Sequence, residues 1–173
     1  MKRNLLFLGA AFISALLFTA CSDDDTATGS VPTNSLEVTI NGTKKSFSNV
    51  QGRWVDGGSY LELTATNDGS EWVSVTVLSE TTRVPVGTYT LDDGSPFSIL
   101  SVYNLNSGGS QQNYTATKGT AAPEDAFMLD IEKISNSEAS GTFSGTLVSV
   151  EGLNTTGIVT FTNGKFNVDI KPN

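Results

Sequence analysis

The chain has 173 residues, with 10 Lys and Arg against 18 Asp and Glu, a net charge of −8 and one cysteine. Histidine is absent, which removes the commonest general base and transition-metal ligand. Without histidine, Ser–His–Asp and Cys–His catalysis are excluded, and with a single cysteine so is a Cys/His zinc site. The acidic balance argues against nucleic acid, whose phosphates demand a basic footprint.

Met1-Lys2-Arg3 places two positive charges ahead of Leu5–Ala20, a run broken only by Ser14 and Thr19. A charged start followed by a short apolar run is the pattern of an export signal. The run is shorter than the roughly 20 residues a membrane-spanning helix needs, and Asp23-Asp24-Asp25 closes it. Residues 1–20 are therefore expected to be a cleaved signal. Leu17-Phe18-Thr19-Ala20-Cys21 resembles a lipobox, in which a cysteine is acylated before cleavage; Phe18 stands where that motif prefers Leu. The resemblance implies that Cys21, which has no disulfide partner, carries the lipid. Two or more acyl chains anchor a protein stably.

Cys21-Ser22-Asp23-Asp24-Asp25 resembles the export signal of Bacteroidota-type lipoproteins. Ser22, Asp23, Asp24 and Asp25 are thus expected to direct the protein to the outer face of the outer membrane. Asp25-Thr26-Ala27 resembles the three-residue O-glycosylation acceptor of the same group, which marks Thr26. Residues 21–34 hold almost no large apolar side chain and are expected to form a flexible tether. A single domain is expected over 35–173.

From Leu36 onward, short alternating runs are cut by Asn41-Gly42, Asp56-Gly57, Asp68-Gly69, Asp93-Gly94 and Asn163-Gly164. Asn-Gly and Asp-Gly accept the positive φ that tight hairpins require, and helical periodicity is absent beyond the signal. Strands are expected at 36–40, 44–50, 84–91, 97–105, 111–117, 126–134 and 140–150, together with two registered hairpins. In the first, a three-residue loop at Asn67-Asp68-Gly69 pairs Leu63 with Val73 and Leu61 with Val75. Tyr60, Glu62, Thr64, Trp72, Ser74 and Thr76 then point outward. In the second, a turn at Asn163-Gly164 sets Phe161 against Phe166 and Val159 against Val168. The fold expected is all-β: an antiparallel sandwich, with an up-and-down barrel as the alternative.

Gly141-Thr142-Phe143-Ser144-Gly145-Thr146-Leu147, followed by Val159-Thr160-Phe161-Thr162-Asn163-Gly164-Lys165-Phe166, resembles the C-terminal half of small β-rich surface lipoproteins of the Bacteroidota. Their domains also open with a strand and an Asn-Gly turn, as in Val38-Thr39-Ile40-Asn41-Gly42. The resemblance implies a β-rich fold and a surface address, and it carries over no catalytic residue.

Asp92-Asp93 and Glu124-Asp125 are the adjacent carboxylates that glycoside hydrolysis could use, but each sits beside Gly or Pro in an expected turn. Asn67–Glu71 and Asp92–Ser95 are oxygen-rich loops without the spacing of a helix–loop–helix calcium site. No enzyme activity, cofactor or metal is expected. Tyr60 and Trp72, outward on adjacent strands, are candidates for a ligand platform for a sugar or peptide; the alternative is that this face packs against a second sheet or the 44–55 segment, beside Trp54. The expected function is a lipid-anchored, non-enzymatic binding module for glycan or another envelope protein. Two alternatives stand: a barrel carrying a small apolar ligand, and a structural envelope protein.

Overall fold

The computed structural model describes residues 31–80, 82–91, 94–119 and 127–171. They form eleven strands: β1 (Ser35–Ile40), β2 (Thr43–Phe47), β3 (Asn49–Val55), β4 (Tyr60–Thr66), β5 (Glu71–Ser79), β6 (Gly87–Thr90), β7 (Phe97–Ser107), β8 (Ser110–Thr117), β9 (Met128–Ile134), β10 (Glu138–Glu151) and β11 (Asn154–Lys171). The all-β class expected from the sequence is the class observed.

Alternation explains most of these strands. In β5, Val73, Val75 and Val77 are buried while Trp72, Ser74 and Thr76 face the other way. In β1, Leu36, Val38 and Ile40 are buried in the same manner. β-Branched residues suit such a half-buried pleated surface. Asn41 (φ 48°) and Gly42 (φ 81°) make the two-residue turn that joins β1 to β2, with Ile40 paired to Thr43.

The strands pair as one mixed sheet in the order β2-β1-β11-β3-β4-β5-β7-β8-β10-β9-β6, with β10 also paired to β11. From β11 the pairings therefore run through β3, β4, β5, β7, β8 and β10 and return to β11. Two of these contacts are short. β11 meets β3 in parallel through Ile170–Gly52 and Lys171–Arg53, and β10 meets β8 at Val148–Thr115. The order is not a simple up-and-down one, because β11 lies between β1 and β3. The interior is filled by aromatic rings in mutual contact. Phe143 lies 6.0 Å from Phe161 and 6.1 Å from Phe127, and Phe161 lies 5.7 Å from Tyr103, centroid to centroid.

Four local expectations are corrected. Asn163-Gly164 does not turn the chain; it is a bulge within the 18-residue β11. Phe161 and Phe166 lie along the same strand, and the turn comes earlier, at Gly152-Leu153 between the paired Glu151 and Asn154. A left-handed Asn followed by Gly serves a bulge as well as a turn. The long-range partners decide between them: β10 pairs with β11 over nearly its whole length, and β1 holds the other edge. The expected facing was nonetheless right, since Val159, Phe161, Phe166 and Val168 are all buried.

The second correction is the 59–78 hairpin, whose register is shifted by two residues. Leu63 pairs with Val75, Leu61 with Val77 and Ala65 with Val73. The loop is longer because side chains close it: Gly69 donates to Thr66 Oγ1 (2.9 Å), Thr66 Oγ1 donates to the Glu71 carbonyl (2.7 Å), and Ser70 donates to Asp68 Oδ1. Third, the strand expected over 44–50 is two strands meeting at Ser48, where the chain leaves β1 for β4. Fourth, residues 31–34 of the expected tether are packed down. Val31 is buried and its carbonyl accepts from Asn167, while Asn34 exchanges hydrogen bonds with Asp169 (2.8 and 2.9 Å).

Gly164 is required by proximity, since the left-handed residue of the bulge is Asn163 (φ 53°). A Cβ at 164 would stand 2.4 Å from the Phe143 carbonyl oxygen and 2.8 Å from two atoms of its ring. Forcing an extra methyl into a packed site typically costs about 1–3 kcal/mol. Gly164→Ala should therefore lower the thermal midpoint clearly beyond a Thr160→Ser control. Equal midpoints for the two variants would contradict this account of the bulge.

Candidate ligand-binding face

The expected site residues fall into three groups. Cys21, Ser22, Asp23, Asp24, Asp25 and Thr26 lie outside the described residues, as do Asp92, Asp93, Glu124 and Asp125. The Asn67–Glu71 loop is a structured turn. Asn67 donates to the Ser46 carbonyl (2.8 Å) and accepts from the Ser48 N–H (3.0 Å), tying the loop to the β2–β3 junction. The Asp68 carboxyl is held below the usual carboxylate range by hydrogen bonds from the Ser70 hydroxyl and N–H. Glu71 turns the opposite way, accepting from Lys45 Nζ and from the Tyr103 hydroxyl. Burial, and then the Glu71 contact, push the Tyr103 phenol far above its ordinary value, so it stays neutral. Among the described residues, no three His, Cys, Asp or Glu side chains gather as a metal site would require.

Tyr60 and Trp72 form the third group. Both leave the core face, as expected, but they are not neighbours. Tyr60 pairs with Leu78 and Trp72 with Thr66, at opposite ends of the β4–β5 hairpin. Six residue positions at about 3.3 Å each separate them by roughly 20 Å. The expected platform is corrected on this point: the two rings cannot share one sugar ring. The cause is length, since Tyr60 opens β4 and Trp72 stands at the start of β5, so antiparallel pairing puts them at far ends.

Trp72 does remain open, with 46% of its surface exposed. The register gives it different companions. Asn49, Thr66, Trp72, Asn104 and Asn113 pair in sequence across β3, β4, β5, β7 and β8. Directly opposed residues share a face, with Cβ atoms about 5 Å apart. Gln111, two residues along β8, donates from Nε2 to both Asn104 Oδ1 (3.3 Å) and Asn113 Oδ1 (3.2 Å). Gln51 donates to Asn49 Oδ1 (3.4 Å). An exposed indole thus lies in a row with the exposed amides of Asn49 and Asn113, the buried amide of Asn104, and the Thr66 hydroxyl, which the Gly69 N–H and the Glu71 carbonyl already engage. Such a surface offers stacking from the indole and paired donors and acceptors from the amides.

Asn104, Asn113 and Gln111 were not among the residues the sequence pointed to. Their signal is Gly108-Gly109, both at positive φ (59° and 84°), which joins Ser107 to Ser110 and sets Asn104 opposite Asn113. It is a two-residue turn of the same kind as Asn41-Gly42.

Two surface depressions lie elsewhere. One, of about 430 Å³, crosses the β11 bulge between Met128, Ser144, Thr162 and Lys165. The other, of about 180 Å³, lies beside Trp54 and Asn136. There the Arg83 guanidinium carbon stands 4.0 Å from the Trp54 ring centroid, and Arg83 also donates to the Asn136 side chain. Compared with protein-family models, with curated proteins and with solved structures, the chain matches none.

The two tryptophans should behave differently. Trp54 is buried and donates from Nε1 to the Ser135 carbonyl (3.2 Å), whereas Trp72 is half open. Truncating a buried Trp costs about 3–5 kcal/mol, and an open surface position usually stays within about 0.5 kcal/mol. Trp54→Ala should depress the unfolding midpoint strongly and Trp72→Ala only slightly. With Trp54 replaced by Phe, acrylamide should quench the remaining fluorescence efficiently; a protected indole would place Trp72 in contact with another part of the chain.

Proposed function

We propose that the protein is a non-enzymatic, lipid-anchored surface module that binds glycan through the outer face of β3–β8. The observation that carries this reading is the exposed Trp72 set in a cross-strand row with the exposed amides of Asn49 and Asn113. An aromatic ring packs on the apolar face of a pyranose, while amides and hydroxyls pair with its hydroxyls. The ring alone would be sticky, and the amides alone would be well solvated. Together they favour a ligand that is apolar on one side and polar at its edge, which describes a sugar better than an apolar carrier ligand. The mutual contacts of Phe143, Phe161 and Phe127 also speak for a filled interior.

Binding should be read on a polysaccharide array and by isothermal titration. Trp72→Ala should abolish retention while leaving the far-ultraviolet spectrum and midpoint close to wild type. Retention unchanged by Trp72→Ala would remove this face from the function.

The anchor is proposed from the lipobox-like Leu17–Cys21 and the lone cysteine. Cys21→Ala should stop acyl labelling and release the protein from the membrane fraction. Replacing Asp23, Asp24 and Asp25 with Ala should protect the protein from protease added to intact cells, whereas the wild type is shaved. Full membrane retention of Cys21→Ala without added mass would refute the anchor.

A further inference from the structure

The charge pattern of this face narrows the ligand, on the premise that the face binds glycan. Next to the Trp72 row lies a second one: Gln51, Thr64, Ser74, Val102 and Thr115, again paired in sequence across the five strands β3 to β8. Neither row contains a single charged residue, in a chain where 16% of residues are charged. The first charges on the face come one row further on, as Arg53 and Glu62, and these neutralise one another at 2.8 Å. Lys171 reaches the rim and donates to Gln51 Oε1 (3.0 Å). At the other end of the face stands the Asp68 carboxylate, kept ionised by Ser70.

We infer that the ligand is an uncharged polysaccharide that lies extended across the strands, from Asn49 over Trp72 to Asn113. A uronate or sulfated chain carries regular negative charge and needs an array of Lys or Arg to hold it. Here it would meet amides, hydroxyls, an already paired arginine, a single lysine at the rim and a fixed carboxylate, on a chain of net charge −8. A neutral chain meets no such penalty, and its hydroxyls find amides that both donate and accept. The direction follows from the layout. The row crosses five strands spaced about 4.8 Å apart, or roughly 19 Å along the sheet, enough for a few pyranose rings laid end to end. The exposed amides of Asn113 and Gln111, the latter bonded to the buried Asn104, line one side of the indole and Asn49 the other. A single sugar would use only the part next to Trp72.

The test titrates the full chain with soluble neutral polysaccharides (a β-glucan, a mannan and a xylan) and with polygalacturonate and a sulfated chain, at low and high salt. Neutral chains should bind with affinity that changes less than about twofold with salt, and acidic chains should be ignored. Trp72→Ala should weaken binding by about tenfold or more. Gln111→Ala and Asn113→Ala should each weaken it by about two- to tenfold. Short oligosaccharides should bind progressively more weakly than long ones. Salt-sensitive binding of the acidic chains, with the neutral ones ignored, would overturn this inference while leaving glycan binding standing. Binding of neither class would overturn both. Neutral binding indifferent to Trp72→Ala and Asn113→Ala would place the site elsewhere and overturn it as well.

Discussion

The close approach of Gly164 to Phe143 is the constraint on which the rest of the molecule depends. β11 pairs at once with β1, β3 and β10. Its first half buries the odd-numbered Val159 and Phe161, and its second half buries the even-numbered Phe166, Val168 and Ile170. In an uninterrupted strand one of these sets would face solvent, because side chains alternate with a period of two. The extra residue at Asn163-Gly164 reverses the alternation. Both neighbours register the slip, between Glu37 and Thr39 on β1 and between Phe143 and Gly145 on β10. One bulge therefore lets a single strand serve the core along its whole length, and only a residue without a Cβ fits where it presses on Phe143.

Facing was legible in the sequence wherever alternation ran for five residues or more. Leu61, Leu63, Val73 and Val75 read as inward and are inward. So do Val159, Phe161, Phe166 and Val168, although the hairpin that was thought to place them does not exist. Pairing was less legible, for physical reasons. Asn-Gly offers the same backbone conformation to a turn and to a bulge, and the choice between them was made by β10, some twenty residues earlier in the chain. In the 59–78 hairpin the loop length was set by Thr66 and Asp68 side chains bonding to backbone, which no periodicity records.

The same distinction decides what could be known of the candidate face. A two-residue slip preserves facing, so Trp72 was correctly read as outward. Adjacency depends on strand ends and on non-local pairing, so the companionship of Tyr60 was misread and that of Asn104 and Asn113 was missed. The β7–β8 turn at Gly108-Gly109 would have supplied half of the row from local sequence alone. The other half, Trp72 beside Asn104, needs β5 to pair with β7 across the intervening β6, and a single sequence does not announce that.

Solubility does not account for the polarity of this face. Elsewhere the surface carries charged pairs, beside exposed apolar residues such as Val150 and Ile158. Lys44 pairs with Glu37 at 3.1 Å on β2, which ends the sheet order, and Lys133 pairs with Glu138 at 2.9 Å. Lysines on a terminal strand also discourage edge-to-edge association. The outer face of β3–β8 uses none of these devices over two full rows, and it leaves an indole half open among them. A face selected only to stay in solution gains nothing from an exposed Trp and loses little by carrying Lys or Glu. Amides that bond one another around an aromatic ring are a costlier arrangement, since each fixed side chain gives up rotamer freedom. That loss is offset when a ligand arrives, because groups already ordered surrender no further entropy on binding.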